Sequence, residues 1–131
     1  MFNKKKQPPI KSLFAQGGLI QGDLHFSEGL RLDGAVIGNI HASEDVPSIL
    51  VVSEVAHVRG EIHADHVIIN GAVDGPVYAR TMLELQPKAR ICGDVHYLNL
   101  EMHQGAIVAG QLKPVAGQGE KPLLKLTTNE E

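Results

Sequence analysis

Seven histidines are the side chains of this sequence best suited to chemistry, and four of them follow a rule. His25, His41, His63 and His96 each stand three residues after a glycine, with Asp23, Asn39, Glu61 and Asp94 two residues ahead of the imidazoles. Imidazole beside carboxylate is the raw material of divalent-metal ligation and of general acid–base catalysis. Neither is the expectation here. An odd offset from the glycine puts all four rings on the outside of an extended chain, so the pattern reads as a solvated surface ladder with charges interleaved. His63-Ala-Asp-His66 lacks the helical context of a metalloprotease motif, and no Ser or Cys sits in a recognisable nucleophile turn. The chain therefore reads as a non-enzyme, with no catalytic residue and no metal or other cofactor.

The glycines that set the rule are Gly22, Gly38, Gly60, Gly75, Gly93 and Gly110, at intervals of 16, 22, 15, 18 and 17 residues. Two positions before them stand Ile20, Val36, Val58, Val73, Ile91 and Val108, and two after them Leu24, Ile40, Ile62, Val77, Val95 and Leu112. Eight before come Phe14, Leu30, Val52, Val67, Leu85 and Met102; four before, only Gly or Ala occurs. All eighteen large positions are apolar in a chain that is 43% hydrophobic, a coincidence of about three in ten million for one chosen register. Even offsets put these side chains on one face of extended chain, so the segments are strands. Ile20, Val36, Ile40, Val58, Ile62, Val73, Val77, Ile91 and Val95 are the expected core.

Turn chemistry comes in a short form, Asp33-Gly34 and Asn70-Gly71, and a longer one, Gln86-Pro-Lys-Ala89 and His103-Gln-Gly-Ala106. The two-residue difference preserves strand parity and keeps the apolar face inward. A plain hairpin meander would also use Asn-Gly turns, but it gives no reason for one signature to recur every 18 residues or so. A β-solenoid with one repeat per coil does, because equivalent positions stack. The expected fold is all-β, a single-stranded β-helix of about six coils over residues 12–113, with a basic tail at 1–11 and a flexible tail at 114–131.

Composition narrows the function. A net charge of −3 and a pI near 6.1 leave no electropositive footprint for nucleic acid. The single cysteine, Cys92, cannot form an intramolecular disulfide, and suits a reducing cytoplasm. No stretch approaches the roughly 18 consecutive apolar residues of a membrane span, and the N-terminal lysine run is not followed by an apolar segment of signal-peptide length. No glycine loop followed by Lys-Ser or Lys-Thr is present, so no nucleotide is expected.

The runs Gly29-Leu-Arg-Leu-Asp-Gly-Ala-Val-Ile-Gly-Asn-Ile40, Val58-Arg-Gly-Glu-Ile62 and Val67-Ile-Ile-Asn-Gly-Ala-Val-Asp-Gly-Pro-Val-Tyr-Ala79 resemble the bactofilins, small bacterial polymer-forming cytoskeletal proteins. The likeness extends over residues 12–113. It implies a right-handed β-helix, nucleotide-independent filaments, and scaffolding of cell-shape or cell-envelope machinery, including cell-wall proteins. The opening Met1-Phe2-Asn3-Lys4-Lys5-Lys6 resembles the family's membrane-targeting start. It implies contact of Met1, Phe2, Lys4, Lys5 and Lys6 with an anionic membrane, and a location in the cytoplasm, peripheral to the inner membrane. Some members carry a phenylalanine in the last coils that joins subunits. Here the phenylalanines are Phe2, Phe14 and Phe26, all early.

Polymerisation also follows from a solenoid's geometry, since its first and last coils present unpaired backbone and a cross-section of core. Neither tail reads as a cap, so the ends are expected to meet one another, making the chain its own partner. Phe14, Leu24 and Phe26 at one end and Met102, Ile107, Val108 and Leu112 at the other are the expected polymer interface. Two alternatives stand beside this reading: a hexapeptide-repeat acyltransferase, whose six-residue step is stricter than the spacing here, and a β-helical binding module that does not polymerise.

Overall fold

The computed structural model describes residues 9–115 and 124–126, and these form β-strands without a helix. Met1, Phe2, Lys4, Lys5 and Lys6 lie outside the described residues. The chain winds in coils of three short strands. The first coil is β1 (Ser12–Phe14), β2 (Leu19–Gln21) and β3 (Leu24–Phe26); the second is β4 (Gly29–Leu32), β5 (Ala35–Ile37) and β6 (Ile40–Ala42). The third begins with β7 (Ile49–Val52) and β8 (His57–Arg59). From there the last strand of each coil runs on into the first strand of the next, in β9 (Ile62–Ile69), β11 (Val77–Leu85) and β13 (Val95–Met102). Between them lie β10 (Ala72–Asp74) and β12 (Arg90–Cys92), and the sixth coil closes with β14 (Ile107–Ala109) and β15 (Leu112–Pro114). The protein is a β-solenoid of about six turns.

Every pairing is parallel and joins equivalent strands of successive coils, where a meander's hairpins would be antiparallel. The strands β2, β5, β8, β10, β12 and β14 make one sheet; the others merge into a second because β9, β11 and β13 pass around a corner without a break. One more strand, β16 (Leu124–Leu126), arises in the segment that reads as a tail from sequence and pairs with Leu100–Met102 of β13.

The corner between the second and third strands is the glycine column. Gly60 has φ 152° and its N–H donates to the carbonyl of Asp74 in the next coil. A Cβ on Gly60 would overlap the carbonyl oxygen of Gly38 beneath it. Backbone stacks directly on backbone here, and only glycine leaves the room.

Within the solenoid, Val36, Ile40, Val58, Ile62, Val73, Val77, Ile91 and Val95 are buried, while Ile20, in the first coil, is half-buried and packs against the same cluster. The pairing register corrects one column. Phe14 stacks on Leu32, Val52, Ile69, Leu85 and Met102 in turn, not on Leu30 and Val67, which instead line up with Leu50, Leu83 and Leu100. The short turns at Asp33-Gly34 and Asn70-Gly71 remove two residues from a count made back from the glycine. Parity is kept, so Leu30 and Val67 remain buried but have different neighbours.

The long interval of 22 residues comes from a loop at 43–48 inserted at the third corner. Its buried end, Ser48, is fastened by Asp65, which accepts from the Ser48 N–H at 2.9 Å and from its hydroxyl at 3.2 Å. Arg80 Nε donates to the other oxygen of Asp65 at 2.9 Å. A buried polar corner is thus satisfied from both sides.

Candidate assembly ends and the histidine face

The third strand of each coil carries the histidine ladder because the residue three after each glycine alternates outward from a core neighbour. His25 pairs with His41 and His41 with His63; Tyr78 joins His63 to His96, and Lys113 follows. Ring centroids are 5.1, 4.9, 4.5 and 4.4 Å apart, with planes within 17° of parallel. Five aromatic rings therefore form one continuous stack along the rod. This geometry disfavours chelation by the ladder itself. Ring-nitrogen lone pairs lie in the ring planes, so a single ion cannot sit in two stacked planes at ligand distance from both.

The polar residues expected to flank the ladder have a different occupation. Asp23 accepts from the N–H of Asn39 at 3.0 Å, Asn39 Oδ1 from that of Glu61 at 2.9 Å, and Asp94 from that of Gln111 at 2.9 Å. Each side chain caps the backbone one coil up. The Gln111 N–H, then Lys113, whose Nζ is 3.3 Å away, hold the Asp94 carboxyl below the usual carboxylate range. Glu61 is the exception, since Pro76 occupies the position above it and has no N–H to offer. Its carboxylate turns instead to His63 Nε2, at 2.9 Å.

At the N-terminal end β1, β2 and β3 are each paired on one side only among the described residues. Phe14, Leu24 and Phe26 reach this end half-buried, packed against the core cluster beneath. At the other end β14 and β15 are likewise paired on one side among the described residues, and β16 covers only the Leu100–Met102 stretch of β13. Met102 and Val108 are half-buried, and Leu112 is 41% exposed. Ile107 is 51% exposed and faces outward from β14 in register with Arg90, so it borders this end rather than covering the core. Lys11, the last residue of the basic tail, is tied by a 2.9 Å ion pair to Glu28.

Several core residues escaped the sequence reading, among them Leu32, Leu50, Ile69, Leu83, Leu100 and the largest, Tyr97. Tyr97 is 1% exposed, and burial raises its hydroxyl pKa. It lies four after Gly93, in the column that also holds Phe26, Ala42, Ala64 and Ala79. That even offset was the available signal. His66, on the outer surface of β9, has its pKa lowered by burial against the opposing pull of Glu84 and Glu101.

Comparison with known proteins agrees with this architecture. No match is found among curated proteins or among solved structures. The family model of the bactofilins, described as polymer-forming cytoskeletal proteins, matches residues 12–113, the same stretch that winds into the six coils. A glycine-cornered parallel solenoid, matched by that model over most of its length, belongs to the bactofilin family of polymer-forming cytoskeletal proteins.

Proposed function

We propose that this chain is a structural subunit that assembles end to end into filaments without nucleotide, lies against the cytoplasmic face of a bacterial inner membrane, and organises cell-shape or cell-envelope proteins there. The observation that carries the reading is the state of the end coils, where strands that are single-sided among the described residues, with half-buried Phe14, Leu24, Phe26 and Val108, await a continuing coil. Pairing those edges satisfies backbone groups and removes apolar surface from water in one step, and neither gain requires a bound nucleotide. A membrane role rests on the lysines and Phe2 of the N-terminal tail. One such tail binds weakly, but many tails on one filament bind as an array. Among the described residues no helix is long and apolar enough to cross a membrane.

The test is electron microscopy and sedimentation of the purified chain in buffer free of nucleotide, with and without anionic liposomes. Filaments are expected from the wild type, and Leu24→Arg or Val108→Arg should abolish them while leaving the β-sheet circular dichroism intact, because an unpaired charge at a closing interface costs several kcal/mol. Filaments should float with liposomes, less so at high salt or without residues 1–8. Wild-type filament length in both arginine variants would overturn the end-to-end contact, and equal flotation after the truncation would remove the tail from membrane binding.

A further inference from the structure

Away from the ladder and the ends, three ligand-bearing side chains from two coils converge. Glu84 and Glu101 are register partners on the outer surface of β11 and β13, and His103 follows at the turn after β13, its N–H donating to the Leu85 carbonyl at 2.8 Å. His103 Nε2 stands 3.3 Å from Glu101 Oε2 and 3.7 Å from Glu84 Oε2. Among the described residues this is the one group of three or more such side chains whose donor atoms all lie within 4.8 Å of one another. All three residues are half-buried.

The second observation concerns the nitrogen itself. His103 Nε2 has less than 1 Å² of accessible surface and no hydrogen bond of acceptable geometry, although two carboxylate oxygens face it. Its approach is close without being aligned for a shared proton. Those separations suit a different occupant: donors about 2.0–2.1 Å from a tetrahedral zinc ion stand roughly 3.3 Å from each other. Gln86 Nε2 donates to Glu84 Oε2 at 3.2 Å, the kind of outer contact that orients a ligating carboxylate. Imidazole with two carboxylates favours a divalent transition ion over magnesium, which prefers oxygen alone and keeps its waters.

We propose that Glu84, Glu101 and His103 form a zinc-class divalent metal site, three protein ligands with a fourth position for water. The ion neutralises two adjacent carboxylates and ties the fifth coil to the sixth, beside the strand pair of β13 and β16. The proposal is independent of filament formation, which is read by a different measurement.

The experiment is isothermal titration calorimetry of Zn2+ into the full chain after treatment with EDTA, at neutral pH, for the wild type and for Glu84→Gln, Glu101→Gln, His103→Gln and His41→Gln. Circular dichroism checks that each variant is folded. One ion per chain is expected. Each of the first three substitutions should weaken binding on the order of tenfold or more, and His41→Gln should leave it unchanged. The carboxamides are near-isosteric and exposed at one edge, so at least one of these variants will fold and report. Absence of saturable binding would overturn the proposal. Binding undiminished in folded Glu84→Gln or Glu101→Gln, or lost equally in His41→Gln, would overturn it by placing the ion elsewhere.

Discussion

Val58 and Val108 occupy the same column, two residues before a corner glycine, with the same side chain and the same strand direction. Val58 is 0% exposed, yet Val108 is half-buried. Ile62 and Leu112 repeat the contrast two residues after the glycine. Nothing intrinsic separates the two valines, and isoleucine and leucine are equally large and apolar. In a solenoid, burial is conferred by having a coil on each side, so a terminal coil made from the same repeat is incompletely folded in the thermodynamic sense until something stacks upon it. The middle coils are a finished core, and the end coils present core residues left partly uncovered among the described residues.

The widest separation between the two regions should come from a buried charge. Val58→Asp places an uncompensated carboxylate in a dry core at a cost of several kcal/mol, comparable with the whole stability of a small domain. Circular dichroism should show the variant unfolded at room temperature. Leu24→Asp, at the half-buried end, should remain folded as a monomer, because its carboxylate can reach water. If both variants unfold, the end coil is as closed as the middle and the contrast fails.

A smaller difference is expected at the corners. Gly60→Ala combines an unfavourable φ with overlap on the Gly38 carbonyl, whereas a methyl group added at Gly22, at φ 125°, would meet no atom within 4 Å. Losses of about 3 kcal/mol at Gly60 and about 1 kcal/mol at Gly22 are expected from chemical denaturation. Equal losses would show that backbone conformation alone, and not stacking, sets the glycine requirement.

The smallest effect is at the acid edge of the last coil. Asp94 holds the Gln111 N–H, and its carboxyl titrates below the ordinary value of 3.8. A carboxylate whose folded value is lowered contributes stability that is present above the unfolded value and is lost as pH falls through the folded one. The stability difference between wild type and Asp94→Asn should therefore shrink as pH drops below about 4. A constant difference from pH 7 to pH 3 would show that Asp94 acts through packing. The group is exposed, so the change will be modest.

Much of the fold was legible because a parallel solenoid writes its geometry into spacing. Even offsets from the glycines marked Val36, Val58 and Val73 for the interior, and odd offsets marked His25, His41, His63 and His96 for the outside, where they stack with Tyr78. Glu84 and Glu101 were also visible in principle, each nine residues before its glycine, but an equal offset says only that two residues are neighbours. It does not say that His103 turns its nitrogen toward both. The flanking acids hold a role that spacing did not show, for a related reason. Asp23 and Asp94 lie on the ladder's face, but backbone N–H groups at the corner above compete for their oxygens and win.

The alternation of apolar and polar residues between small corner residues was by itself enough to decide which side chains face in, since that depends only on a period of two and on turns that preserve parity. Contact identity was left to the tertiary structure. The stacking of Phe14 on Leu32, the release of Glu61 by Pro76, the meeting of Glu84, Glu101 and His103, and the docking of β16 on β13 each depend on how far the chain travels around a coil before it passes above itself. That distance is the sum of every turn and loop in the coil. A two-residue turn or the inserted loop at 43–48 changes it without disturbing the pattern that made the coils recognisable.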